Sequence, residues 1–324
     1  MDITATNLKL LYQQYNAQFN SMFQATPTFY QEFASVMPSK TKQTVYAWLA
    51  QFGGMRKWEG SRQAVDAVGR SYTLTNSSFE RTVELDRDDI FFDQYGFFGA
   101  VVENLATAAK SLPDQEVSKQ VTAGITNICW DGQAFFNTQH PVNVNDATLG
   151  YNSNNLVGAS YNLLTDPKGA WAKAKAAALK FLDDGGKPLN VILDTLLVGP
   201  DLLDAALTIA EASTIVATIQ AVQGTGNNVA GAGVTNIYEG KIRVICSPWL
   251  ALADNGAAYC LCTKRPVKPF LWQLAKAPQL IARINPEDPK VFDAKKFTYG
   301  VDALGAAGYG LPWTAVRVAP SGGS

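Results

Sequence analysis

The sequence predicts an α+β fold. Apolar stripes of helical period lie in its first half, a compact helix–strand unit follows, and the last ~60 residues read as long, glycine-bearing strands. With 324 residues, 47% hydrophobic and 11% aromatic, the chain has the length of about two domains and can bury a substantial core.

The first 50 residues read as helical. Leu8, Leu11, Tyr12, Tyr15, Phe19 and Met22 recur on one face, Thr6 is placed as N-cap, and Phe29, Tyr30, Phe33 and Met37 form a second short segment. Residues 55–90 then change character, with 6 basic and 7 acidic residues in 36 positions. Alternation over 72–75 and 79–85, separated by Asn76-Ser77-Ser78, predicts a charge-laced, projecting hairpin. Beyond the break at Ser111-Leu112-Pro113-Asp114, the stripe Val117, Val121, Gly124, Ile125, Ile128, Gly132 and Phe135 predicts a helix over about 113–135, with proline at its first turn. Residues 137–165 read as an Asn-, Gly- and Ser-rich connection.

Asp166-Pro167 caps the next predicted helix, 168–183. A buried strand over 189–198, a helix over about 202–222, a small-residue loop over 223–233 and a strand over 241–246 complete the α/β unit. Residues 268–284 are extended and punctuated by Pro278. Residues 297–318 form a long strand-like run whose glycines mark bends or close backbone contacts. The tail 321–324 reads as a flexible end.

Chemistry is sparse. Lys and Arg number 27 against 28 Asp and Glu, which argues against a dedicated duplex-DNA binder. The single histidine, His140, excludes multi-histidine metal sites and sits in a Thr-Gln-His-Pro turn without a Gly-x-Ser-x-Gly elbow. The four cysteines, 129, 246, 260 and 262, form no Cys-x-x-Cys pair and read as reduced, buried thiols. The glycines of 224–233 follow a helix and lead to a strand, the reverse of a dinucleotide fingerprint, and lack the Gly-Lys-Ser/Thr of a phosphate loop. No catalytic residue, metal site or cofactor is expected, and no signal peptide or membrane span is read from the chain. A terminal helix, a charged extension, a long helix and a small domain with a glycine-rich loop together suit a subunit that touches many neighbours.

Motifs along the chain sharpen this. They are Ile3-Thr4 and Asn7-Leu8; Tyr46-x-Trp48-Leu49; Arg56-x-Trp58-x-Gly60-x-Arg62; Tyr72; Asn76-x-x-Phe79-Glu80-x-Thr82; and Asp86-Arg87-Asp88-Asp89-Ile90. Ala108-Ala109-x-x-Leu112-Pro113-Asp114 and Asp131-Gly132-Gln133-x-Phe135-Phe136-x-Thr138-x-His140-Pro141 continue the series. In this concatenation, dense over 1–141 and looser afterwards, the chain resembles the Mu-like major head subunit family (gpT-type) of tailed bacteriophages. Phe91-Phe92 depart from the acidic residues expected after Asp89-Ile90.

The resemblance implies a Hong Kong 97-type capsid fold. It would place an N-terminal arm at 1–54, an extended E-loop at 55–90, and a P-domain at 91–159 with the spine helix at about 113–135. An A-domain would occupy 160–265, and strands returning to the P-domain 266–320. It implies self-assembly into hexamers and pentamers around double-stranded DNA held without sequence specificity, with scaffold/protease, portal and decoration proteins as further partners and no membrane. The location implied is the virion capsid, assembled in the bacterial host cytoplasm. Subunit-interface candidates are Arg56, Trp58, Glu59, Arg62, Arg81, Asp86, Arg87, Asp88 and Asp89, with Trp58 as a buried anchor. Capsomer-axis candidates are Gly224, Gly226, Asn227, Asn228, Gly231 and Gly233. Two other readings stay open: an encapsulin-like nanocompartment shell, and a soluble α/β enzyme with its site in 160–265.

Overall fold

The structure is a computed structural model that describes residues 4–48, 70–92, 97–143, 146–216, 233–252, 256–285 and 287–321. The chain runs α1 (Ala5–Ala25), α2 (Tyr30–Phe33), β1 (Ala34–Pro38), β2 (Gln43–Trp48), β3 (Arg70–Thr75), β4 (Ser77–Asp86), α3 (Arg87–Phe92) and α4 (Phe97–Ala123). It continues through β5 (His140–Pro141), β6 (Tyr151–Asn152), β7 (Asn155–Val157), α5 (Pro167–Leu179), β8 (Thr195–Val198), α6 (Leu203–Glu211), β9 (Thr214–Val216), β10 (Gly233–Thr235) and β11 (Arg243–Cys246). The closing elements are β12 (Ala258–Leu261), β13 (Phe270–Arg283), α7 (Pro289–Ala294), β14 (Lys296–Tyr309) and β15 (Ala315–Ala319). Among the described residues no helix is long and apolar enough to cross a membrane.

Two sheets organise the molecule. One has the order β1-β13-β14-β4, the other β11-β8-β12-β15-β7. The run expected as one strand over 297–318 divides between them. β14 pairs antiparallel with β13 and β4, whereas β15 pairs with β12 and β7. The elbow between the two is tight: the Gly310 amide donates to Pro269 O at 2.8 Å. A Cβ on Gly310 would stand 2.3 Å from the Lys268 carbonyl oxygen, so only glycine fits without moving backbone. Pro278 explains the register shift of β13 against β14 between Lys276 and Gln279, because proline cannot donate to the ladder.

Three apolar clusters fill the layers. Trp171, Ala174, Ala178, Ile209, Leu196, Val316 and Val318 join α5 and α6 to one face of the five-stranded sheet. Val117 and Val121 of α4, with Phe33, Phe135, Phe136, Phe270, Trp272 and Tyr309, lie against its other face through Tyr259 and Leu261. Leu8, Tyr15 and Phe19 of α1 pack on Val102, Leu105 and Ala106 of α4 and on Phe297, Tyr299 and Val301 of β14. Burying three such side chains is worth about 1.5–3 kcal/mol each. The N-terminal helix is therefore laid on its own chain, and Tyr12 Oη donates to Leu280 O at 2.9 Å.

Several sequence expectations are corrected. The helix cap is Thr4, whose Oγ1 accepts from Asn7 N at 3.2 Å, and not Thr6. Only α1 and the single turn α2 are helical in residues 4–48, because Val36 of β1 and Thr44-Val45-Tyr46 of β2 are strand formers with partners to pair with. The long helix spans 97–123, not 113–135, and is about 40 Å long at 1.5 Å per residue. Pro113 lies inside it. The cost of an internal proline, about 3 kcal/mol, is offset by the buried stripe on both sides. The helix ends at Gly124, where the Phe136 ring occupies the space a Cβ would need. Ile128, Gly132 and Phe135 fell on the helical stripe by coincidence. They belong to a compact turn in which Phe136 N donates to Gly124 O and Phe135 N to Asn127 O, with Gly132 at φ +83°.

The helix expected over 202–222 stops at Glu211. Asn236 Nδ2 caps its last carbonyls, Ile209 O and Ala212 O, at 2.7 and 2.8 Å, and β-branched Thr214 and Ile215 enter a strand. The hairpin expected within 55–90 is replaced by two strands with different partners: β3 pairs with β2, and β4 with β14.

Candidate functional site

That divergence of β3 from β4 has a built base. Asn76 separates the two strands and is buried. Its Nδ2 donates to Ser39 Oγ at 3.1 Å and Thr41 O at 2.8 Å, and its Oδ1 accepts from Gln273 Nε2 at 2.7 Å. Gln273 has no exposed surface, and its Oε1 accepts from Tyr46 Oη at 2.8 Å. A charge-free chain of hydrogen bonds thus ties the β2–β3 ribbon to the four-stranded sheet. Every member is satisfied, the condition under which buried polar groups specify one geometry.

The charged candidates follow from this base. Arg81 lies on the face of β4 turned towards α4. With Phe79, Leu105, Ala108, Leu112, Trp249 and Val301 it lines a groove of about 280 Å³. On the opposite face Thr82 Oγ1 donates to Glu80 at 2.6 Å, and Lys296 pairs with Glu84 at 3.4 Å. The Asp86-Arg87-Asp88-Asp89 run starts α3: Asp86 Oδ1 accepts from Asp88 N at 2.8 Å, and the acidic first turn suits the helix dipole. Arg87 Nε stands 3.5 Å from Asp88, and both are partly or fully exposed. Arg56, Trp58, Glu59 and Arg62 lie outside the described residues, as do Gly224, Gly226, Asn227, Asn228 and Gly231. Gly233 opens β10, which pairs with β9.

Two of the buried acids, Asp114 and Asp131, were given no role from sequence. Asp114 in mid-α4 turns its Oδ1 to the amides of Phe29 and Tyr30, at 3.1 and 2.7 Å, and so caps α2 from another element. Burial pushes its carboxyl above the ordinary range, despite those two hydrogen bonds and the nearby Lys110. Asp131 accepts from Cys129 Sγ and Gln133 N, both at 3.0 Å, and faces His140 Nδ1 at 2.6 Å. Both stand in the motifs that carry the resemblance, Asp114 after the Ser111-Leu112-Pro113 break and Asp131 before Gly132, but no role was read for either.

Cys129, Asp131 and His140 bring three ligand-type atoms within 4.8 Å of one another. Their geometry is that of hydrogen bonding. Ligands at ~2.0–2.1 Å from a tetrahedral zinc stand about 3.3 Å apart, well beyond the 2.6 Å between His140 and Asp131. Nor is it a nucleophile–base arrangement, because the carboxylate lies between thiol and imidazole. Burial, reinforced by the Asp131 charge, pushes the Cys129 thiol far up and keeps it protonated. The adjoining cavity is about 10 Å³, the lower limit for one water.

A long helix against a four-stranded sheet, a ribbon leaving that sheet, and a separate five-stranded layer form the architecture of capsid-shell subunits. The likeness to solved structures agrees. The procapsid protein of bacteriophage JBD30 superposes with a TM-score of 0.57 at 25% identity, over 97% of this chain and 75% of that one. The mature capsid of bacteriophage PhiM1 gives 0.53 at 14% identity over 91% and 88%, a likeness of fold. The family model for the Mu-like prophage major head subunit gpT matches residues 8–171 and 252–320, and the chain belongs to that family. The Mu-like prophage FluMu major head subunit of Haemophilus influenzae is 26% identical over 310 residues, 96% of this chain and 72% of its own. The major capsid protein of Escherichia phage Mu is 31% identical over 159 residues, 48% of this chain and about half (52%) of the Mu protein's length.

Proposed function

We propose that the chain is the major capsid protein of a tailed, Mu-like phage. It closes into hexamers and pentamers of an icosahedral shell around double-stranded DNA. The observation that carries this is the match of the family model along most of the chain, joined to a procapsid fold that covers 97% of it. The near-neutral charge fits DNA confined by a wall, not gripped by a basic face. Head-to-tail contacts close into rings, and one chain that fits rings of five and six needs a stiff body with adaptable extensions.

In this reading α1, α2, β1 and β2 fall in the arm (1–54), β3, Asn76 and β4 in the E-loop (55–90), and α4 is the spine helix. α5, α6 and strands β8–β12 (160–265) are the axial domain, its five-stranded sheet completed by β7 and β15 from outside that range, with Gly224–Gly233 near the capsomer axis. Its work is structural and no bond is made or broken. Scaffold, protease, portal and decoration proteins are its further partners, the virion is its destination and the host cytoplasm the place of assembly. Arg56, Glu59, Arg62, Arg81 and Asp86–Asp89 contribute exposed ion pairs worth about 0.2–1 kcal/mol each, and repetition around the shell makes them decisive. Arg62→Glu lowers particle yield while the subunit's melting is unchanged; normal shells at normal yield from that variant would refute the ion-pair part of the proposal.

A further inference from the structure

The turn between α4 and β5 carries a buried polar cluster for which the shell-building reading has no use. His140 has 5% of its surface exposed and Asp131 7%. The two ring nitrogens of His140 both face acceptors: Nδ1 stands 2.6 Å from Asp131 Oδ2, and Nε2 3.1 Å from Phe135 O. A neutral imidazole has one N–H and would turn a ring lone pair towards one of these oxygens. Asp131 Oδ1 is already occupied by the Cys129 thiol and the Gln133 amide. We infer that His140 is buried as an imidazolium paired with the Asp131 carboxylate, a proton-dependent latch that holds segment 124–141 in the seam between the two faces of the five-stranded sheet.

The surroundings make the latch consequential. Phe135 O also accepts from Asn154 Nδ2 at 2.7 Å, and the same amide donates to Pro312 O at 2.9 Å. The pair is thereby wired to the elbow where the chain passes from one sheet to the other. Trp130, next to Asp131, packs edge-on against Trp313 with ring centroids 5.7 Å apart and touches the apolar clusters on both sides of the sheet. Its Nε1 is buried with no hydrogen-bond partner among the described residues.

The other titratable groups facing the pair hold their protons. Burial pushes the Cys129 thiol far up; beyond it, burial pushes Tyr72 up to about 12 and Tyr309 up as well. Asp131 itself is held low: burial alone would raise it, but the His140 ring, the Cys129 thiol and the Gln133 amide outweigh burial. The remaining neighbours Trp130, Asn152, Asn154 and Pro312 do not titrate. Loss of the ring's second proton would turn a lone pair towards Asp131 Oδ2 or Phe135 O, so the latch is made only by the doubly protonated ring.

The chain's single histidine makes the test direct. In full-length protein with ring-labelled [15N]histidine, both nitrogens should show the protonated imidazolium signature at neutral pH. Hydrogen exchange in peptides spanning 124–141, corrected for intrinsic rates, should lose at least tenfold protection as the signature disappears on raising pH. His140→Gln should remove that pH dependence. A ring carrying one proton at neutral pH overturns the charge state, and undiminished protection of 124–141 once the ring is neutral overturns the latch. Both readings use the wild-type chain, so they hold even if His140→Gln misfolds.

Discussion

Replacing Asn76 by alanine tests whether the root of the β2–β3 ribbon is a designed joint. The substitution deletes two donated bonds, to Ser39 and Thr41, and one accepted from Gln273. Gln273 Nε2 is then left in a site with no exposed surface. Leaving a buried donor unpaired costs about 1–3 kcal/mol, whereas Ser39 keeps its partner Thr44. The expected loss is therefore about 1–3 kcal/mol in denaturant unfolding of the unassembled subunit. Gln273→Met should cost a similar amount by removing the donor to buried Asn76 Oδ1. The double variant should lose less than the sum, with a coupling of about 0.5–3 kcal/mol. If the two losses add, or if Asn76→Ala unfolds with the wild type, the joint is not held by this network.

Further outcomes follow from the two buried acids. Asp114→Ala orphans the amides of Phe29 and Tyr30 and should cost about 0.5–2 kcal/mol in thermal or denaturant unfolding. Asp114→Asn keeps the acceptor and removes a carboxyl whose titration burial has raised, so the wild type is relatively most stable at acid pH and Asn should equal or exceed it near neutrality. Asp131 runs the other way. Its lowered titration adds stability above ~3.9, lost as pH falls through its depressed folded value, and Asp131→Asn should flatten that acid limb in melting curves.

Local chemistry made part of this fold legible. The stripe of α1, the Asp166-Pro167 start of α5 and the extended run that is β13 were readable, whereas the run over 297–318 was read as one strand and is two. What failed was decided by tertiary partners. Pro113 reads as a helix start because its missing N–H is harmless there, yet buried side chains before and after it carry the helix through. The end of α6 depends on Asn236, 25 residues after Glu211, and such a distant cap leaves no local mark. The alternating runs on either side of Asn76 looked like a hairpin because period 2 reveals a strand but not its partner. The interface candidates were chosen by charge density. For Asp86 the structure adds a helix-capping role, and Asn76 and Gln273 were invisible as a joint because it exists only once the segments of Ser39, Tyr46, Asn76 and Gln273 meet.

Electron microscopy of the purified protein at high concentration tests the central claim most directly. Closed shells of uniform size, built from rings of five and six copies of this chain, are the predicted result. A species that stays solitary at every concentration, with a pocket that turns over a small molecule, would contradict the account.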